Sequence, residues 1–144
     1  MLVGMKMFQI LLTLLNTPYV WGGDTKADCG VDCSGLVLIA LKAYGVVDQQ
    51  TDLTAQGIYH HITNQSHQMI DIHNANENDI IFFGKSDTRI SHVAMFINSW
   101  QIVHAQGGNR HTVDLKTAAK QRAYVKITPA RYRKDIVAIV RLNL

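Results

Sequence analysis

The chain has 144 residues, 47% of them hydrophobic and 17% charged, with 2 prolines and a formal charge of +3. That is the length of one domain able to bury its own core, and the composition excludes a disordered or low-complexity chain. No apolar run approaches the ~20 residues that cross a bilayer, so a soluble protein with no transmembrane segment, folded as a single domain over residues 1–144, is expected.

Met5, Phe8, Ile10, Leu11, Leu12, Leu14 and Leu15 suit a mostly buried first helix, stopped by Asn16-Thr17-Pro18. Lys6 is the sole early positive charge and no small-residue cleavage site follows, so the segment reads as a helix and not as an export leader. Tyr19 to Asp32, with Gly22, Gly23 and Gly30, has no steady period and should be irregular surface chain. From Cys33 to Tyr44 the residues Leu36, Val37, Ile39, Ala40 and Leu41 repeat at helical spacing, with Asp32 as N-cap and Gly45 as stop. A shorter helix is expected from Thr51 or Asp52 to about Ile62.

After Asn78 the pattern changes to strands: Asp79 to Phe83, Ser91 to Ile97, Gln101 to His104 and Ile136 to Leu142, interrupted by a small helix from Asp114 to Gln121. Helices first and an antiparallel sheet afterwards make an α+β fold.

Cys33 falls in the first turn of its helix, where unpaired N–H groups and the helix dipole favour a thiolate and could also hold an oxyanion. The plainer reading is a small core residue. His92 opens an apolar strand, an odd place for a histidine that merely packs, and could serve as a general base. His104 lies twelve residues on, at the end of the next strand. A three-residue loop over Ile97 to Ser99 would set His92 directly opposite His104, whereas a two-residue loop would send the rings to opposite faces. An odd-length loop or a bulge is therefore expected. Cys29 and Cys33 are too few for a disulfide framework, and a bond between them would silence Cys33, so both are expected to be free thiols.

Tyr19-Val-Trp-Gly-Gly23, Asp32-Cys-Ser-Gly-Leu-Val37, His92-Val-Ala-Met-Phe-Ile97 and Ile102-Val-His-Ala105 follow one another in an order that resembles the NlpC/P60 family of papain-like cell-wall cysteine peptidases. The resemblance implies a papain-like domain with catalytic Cys33, base His92, orienting His104 and a Tyr19 hydroxyl near the oxyanion. It also implies that Asp32 and Ser34, beside the nucleophile, bind the free amine of a terminal L-alanine. Trp21 is a candidate substrate contact, although with Gly22 and Gly23 its first role is to shape the loop. Glu77-Asn-Asp79 stands where the family commonly has Pro-Gly-Asp, and Asn98 and Ser99 replace its usual hairpin glycines.

His60, His61, His67, His73 and His111 have no recognisable metal-ligand spacing, so neither metal nor other cofactor is expected. Nine of the 14 Lys and Arg residues lie from Arg110 onward, opposed there by Asp114 and Asp135 alone, which suits an anionic polymer or a solvated surface; without any nucleic-acid motif, no nucleic acid is expected as partner. The family resemblance implies hydrolysis of amide bonds in peptidoglycan stem peptides, between γ-D-glutamate and a diamino acid, and a monomer acting on the cell wall in the periplasm or outside the cell is expected. Rivals are a Cys/His acyl transferase and a silent wall-binding module. Housekeeping, phage and secreted-effector settings all fit, the last two bringing phage tail components or an immunity protein as partners.

Overall fold

The computed structural model describes residues 4–21 and 30–144. It has helices α1 (Met7–Leu12), α2 (Cys33–Ala43), α3 (Ala55–Thr63) and α4 (Leu115–Gln121). Strands β1 (His67–Met69), β2 (Ile80–Gly84), β3 (Ile90–Phe96), β4 (Gln101–Gln106), β5 (Tyr124–Pro129) and β6 (Ile136–Leu142) complete it. All six strands pair antiparallel in one sheet of order β1-β6-β2-β3-β4-β5. The fold is α+β.

Local chemistry sets the helix ends. The Asp32 carboxylate accepts the Gly35 N–H at 2.7 Å and so caps α2, which fixes Cys33 as its first residue; the chain leaves α2 through Gly45 at φ 70°. Helix α3 begins at Ala55, three or four residues later than expected, because Thr54, and neither Thr51 nor Asp52, caps it by accepting the Gly57 N–H at 3.0 Å. Helix α1 stops at Leu12, short of the apolar run that predicted it.

The sheet is covered on both faces. On one, Leu36, Val37, Ala40 and Leu41 of α2 and Ile58 and Ile62 of α3 pack with Phe82, Val93, Met95 and Val103. On the other, Ile81, Phe83, Ala94, Phe96 and Ile102 form a second cluster closed by Ile72 and Tyr132, which sit on short 3₁₀ turns (Ile72–Asn74 and Ala130–Tyr132). Every residue of β2 is buried, as its unbroken Ile-Ile-Phe-Phe run requires of a central strand.

Two strands were not anticipated. β1 has three residues, too few to show a period. β5 lies at the sheet edge and ends in Pro129, which breaks a strand pattern in sequence but costs no ladder bond at an edge.

Between β3 and β4 the loop is odd in length, as expected, but comprises Asn98, Ser99 and Trp100. Phe96 consequently faces Ile102, not Trp100, a shift of two residues that preserves side-chain parity. Asn98 closes this loop by accepting the N–H groups of Trp100 at 3.0 Å and Gln101 at 2.8 Å. In the turn before β2, Asn78 adopts φ 72°, and its side chain accepts the Phe8 N–H at 2.9 Å, tying the turn to α1.

Candidate active site

The segment leading to Cys33 is pinned before α2 begins. Val31 donates to the Pro18 carbonyl at 3.0 Å and Val20 donates to the Val31 carbonyl at 3.1 Å, so Tyr19 and Val31 run side by side. Gly30, at φ 80°, permits this approach, since a Cβ there would lie 2.7 Å from the Pro18 carbonyl oxygen. Tyr19 donates its N–H to Ala123 at 2.9 Å, and its ring lies against Gly108, where a Cβ would come within 2.1 Å of it. The segment leading into Cys33, Tyr19 and the segments flanking α4 are thus locked together.

Only Met95–Val103 and Phe96–Ile102 pair between β3 and β4. At the other end of β3, the Val93 N–H is turned to the Cys33 sulfur. Cys33 and His92 line one cleft of about 710 Å³, together with Tyr19, Tyr132 and Arg133. His92 Nε2 lies 2.8 Å from His104 Nδ1, and His104 Nε2 lies 2.9 Å from Thr128 Oγ1. His104 is 0% exposed and His92 8%. His104 therefore stands behind His92 and does not border the cleft.

Both imidazoles project from the sheet face opposite α2, where their rings contact Tyr132 at centroid distances of 4.9 Å for His104 and 6.4 Å for His92. Tyr132 and Arg133 were not singled out in the sequence. Arg133 holds Asp135, donates to Ser91 Oγ at 3.3 Å and lies over the Phe83 ring.

Burial pushes the His92 imidazole down to about 3, helped by the Arg133 charge, and pushes His104 down to about 2, helped by His92 itself. Both are neutral at physiological pH. Burial and then the Asp32 carboxylate push the Cys33 thiol up to about 12, against the pull of the Val93, Ser34 and Cys33 N–H groups. The lowered thiol pKa expected from the helix tip is not found: desolvation outweighs those donors. Burial also raises the Tyr19 hydroxyl, which remains a proton donor. A neutral thiol beside a neutral imidazole suits attack in which the proton leaves sulfur as the sulfur–carbon bond forms.

A second cleft, of about 570 Å³, meets the first at Cys33 and is lined by Asp32, Ser34, Asp52 and Thr54. Ser34 Oγ donates to Asp32 Oδ1 at 3.2 Å. Trp21, 53% exposed, borders both clefts. The two have opposite charge: carboxylates on the Asp32 side, and the guanidinium groups of Arg110 and Arg133 on the His92 side. Gly22, Gly23 and Cys29 lie outside the described residues.

The sequence profile of the NlpC/P60 family matches residues 16–129. Dipeptidyl-peptidase 6 of Lysinibacillus sphaericus is 32% identical over 107 residues, covering 74% of this chain and 34% of that protein. The chain spans about a third of the length of the curated relatives it matches. Among solved structures, the NlpC/p60 domain of the peptidoglycan hydrolase SagA shares the fold with TM-score 0.63 at 20% identity, covering 94% of this chain and 96% of that one. RipD of Mycobacterium tuberculosis, a non-catalytic NlpC/p60 domain protein adapted to peptidoglycan binding, shares it with TM-score 0.61 at 17% identity, covering 96% and 98%.

Proposed function

The chain belongs to the NlpC/P60 family, and on that footing we propose that it is a cysteine peptidase that hydrolyses amide bonds in peptidoglycan stem peptides. The observation that carries this reading is the cleft shared by Cys33 and His92, with His92 tied to His104 at 2.8 Å. His92 takes the thiol proton as Cys33 sulfur attacks the scissile carbonyl carbon. The Cys33 N–H, in the first turn of α2, and the Tyr19 hydroxyl hold the oxyanion. Collapse breaks the carbon–nitrogen bond, the departing amine takes the proton from His92, and a thioester remains on Cys33. Water, deprotonated by the same imidazole, then releases the acid and the free thiol. No cofactor enters this sequence.

The opposed charges of the two clefts support a substrate with an ammonium group on the Asp32 side and a carboxylate on the Arg133 side. A stem peptide with a free terminal L-alanine, cut between γ-D-glutamate and a diamino acid, has that polarity. Residues 1–144 are read as a single catalytic domain acting on the wall from the periplasm or outside the cell. Among the described residues no helix is long and apolar enough to cross a membrane.

A second reading, a silent wall-binding module, is supported by the fold shared with RipD, since one fold hosts both roles. Mass spectrometry of muropeptides digested with wild type, Cys33→Ala and His92→Ala separates the two. New amine and carboxyl ends with wild type alone support hydrolysis. Binding to sacculi with no new ends for any of the three would establish the module.

A further inference from the structure

We propose that Thr128 is a positioning residue whose hydroxyl, held by the Pro129 carbonyl, sets the tautomers of both imidazoles so that His92 presents an unprotonated Nδ1 to Cys33. This rests on the reading of Cys33 and His92 as nucleophile and base.

The two rings and the hydroxyl form one chain of hydrogen bonds: Thr128 Oγ1 to His104 Nε2 at 2.9 Å, and His104 Nδ1 to His92 Nε2 at 2.8 Å. A neutral imidazole carries one N–H and one lone pair, so a proton placed at one end of the chain dictates every other. His104 is fully buried, and both rings are held neutral by burial. Two arrangements satisfy every contact between the rings. In the first, Thr128 Oγ1 accepts from His104 Nε2–H, His104 Nδ1 accepts from His92 Nε2–H, and His92 Nδ1 is bare. In the second, Thr128 donates to His104 Nε2, His104 Nδ1–H donates to His92 Nε2, and the His92 proton sits on Nδ1. The second has no base for the thiol.

What selects between them is the far side of Thr128. Its hydroxyl donates to the Pro129 carbonyl at 3.2 Å, leaving only a lone pair for His104. The sheet makes this possible: His104 lies opposite Lys126 and Thr128 opposite Ile102, so Thr128 stands two residues along β5 on the same face as His104, within diagonal reach. No motif marks Thr128 in sequence.

The test is nitrogen-15 NMR of the imidazoles in the substrate-free full chain, for wild type, Thr128→Val and Thr128→Ser, with kcat and KM for each variant on a stem-peptide substrate. Expected in wild type and Thr128→Ser are N–H on Nε2 of both histidines. In Thr128→Val a mixture including His92 Nδ1–H should appear, with kcat down about five- to tenfold, the weight of one neutral hydrogen bond, and KM unchanged. A wild-type spectrum with Nδ1–H on either ring, or a Thr128→Val spectrum identical to wild type, would overturn the proposal. Because the tautomers are read without turnover, a correct pattern in a chain that cleaves nothing would sink the hydrolase reading and not this one.

Discussion

His92 and His104 touch through Nε2 and Nδ1 at 2.8 Å, although the β3–β4 ladder does not set them opposite one another. Continuing the register of Met95 with Val103 along the strands puts Ala94 opposite His104, so the histidines are diagonal neighbours on one face. A diagonal pair at this spacing meets only through long side chains, and two imidazoles are long enough. On the proposed mechanism His104 has one geometric task, to hold the ring in front of it. His92→Ala should lower kcat/KM by about two to four orders of magnitude, the usual weight of a general base. His104→Ala should fall between His92→Ala and wild type, and His104→Asn, which can still offer an acceptor to His92 Nε2–H, should lie nearer wild type. An inactive His104→Asn beside a half-active His104→Ala would contradict a purely orienting role.

The pH dependence follows from the directions of the shifts. The His92 imidazole stays neutral until pH falls to about 3, and the Cys33 thiol keeps its proton until pH rises to about 12. Over the range in which the protein is folded and assayable, kcat/KM should be nearly flat, with neither an acid limb near the ordinary histidine value nor an alkaline limb near the ordinary thiol value. A pH–rate profile from pH 5 to 9 checks this. A clear limb between pH 6 and 7 would mean that His92 takes up a proton in the free enzyme, and so has more water around it than its burial implies.

How much of this was legible beforehand differs by element. The α2 start was readable because Asp32, a helical repeat and Gly45 are local signals that tertiary structure left alone. The β3–β4 parity was readable because two histidines twelve apart share a face only across an odd loop, yet the true register depended on Asn98 capping the loop with its own side chain, a contact that periodicity does not encode. Tyr132, Arg133 and Thr128 lie far from the Cys33 motif in sequence and reach the site only because edge strand β5 and the 3₁₀ turn after it fold back along β4. The Cys33 shift runs against what the helix tip alone implies for a related reason. The helix tip is a local property, but the desolvation that outweighs it comes from the segments packed around the cleft.

Asp32 serves both the helix and the cleft, and the two can be separated. Asparagine caps helices about as well as aspartate, so Asp32→Asn should keep α2 and the melting temperature close to wild type while removing the charge offered to an ammonium group. KM for a stem peptide with a free amino terminus should rise about 10- to 100-fold, the range of a charge-assisted hydrogen bond. KM for the same peptide acetylated at that amine should already be high and should not rise further. Equal effects of Asp32→Asn on both peptides would remove the amine from the Asp32 side of the cleft.

The same buried imidazoles make stability depend on pH. Each has a folded-state pKa well below its unfolded value near 6.5, so the unfolded chain binds more protons once pH drops below about 6.5. Stability from keeping the rings neutral is full above that value and is lost progressively as pH falls toward the folded-state values of about 3 and 2. The loss per ring is about 1.4 kcal/mol per pH unit where the unfolded ring is fully protonated. His104→Gln removes one such ring from a site with no exposure while keeping an amide that can serve both His92 and Thr128. Between pH 6 and 4.5, the unfolding free energy of wild type from urea titrations should therefore fall about 2 kcal/mol further than that of His104→Gln, since carboxylate titration is common to both. Parallel curves for the two proteins would mean that His104 is charged within the folded sheet, and its hydrogen bond to His92 would then have to run in the opposite direction.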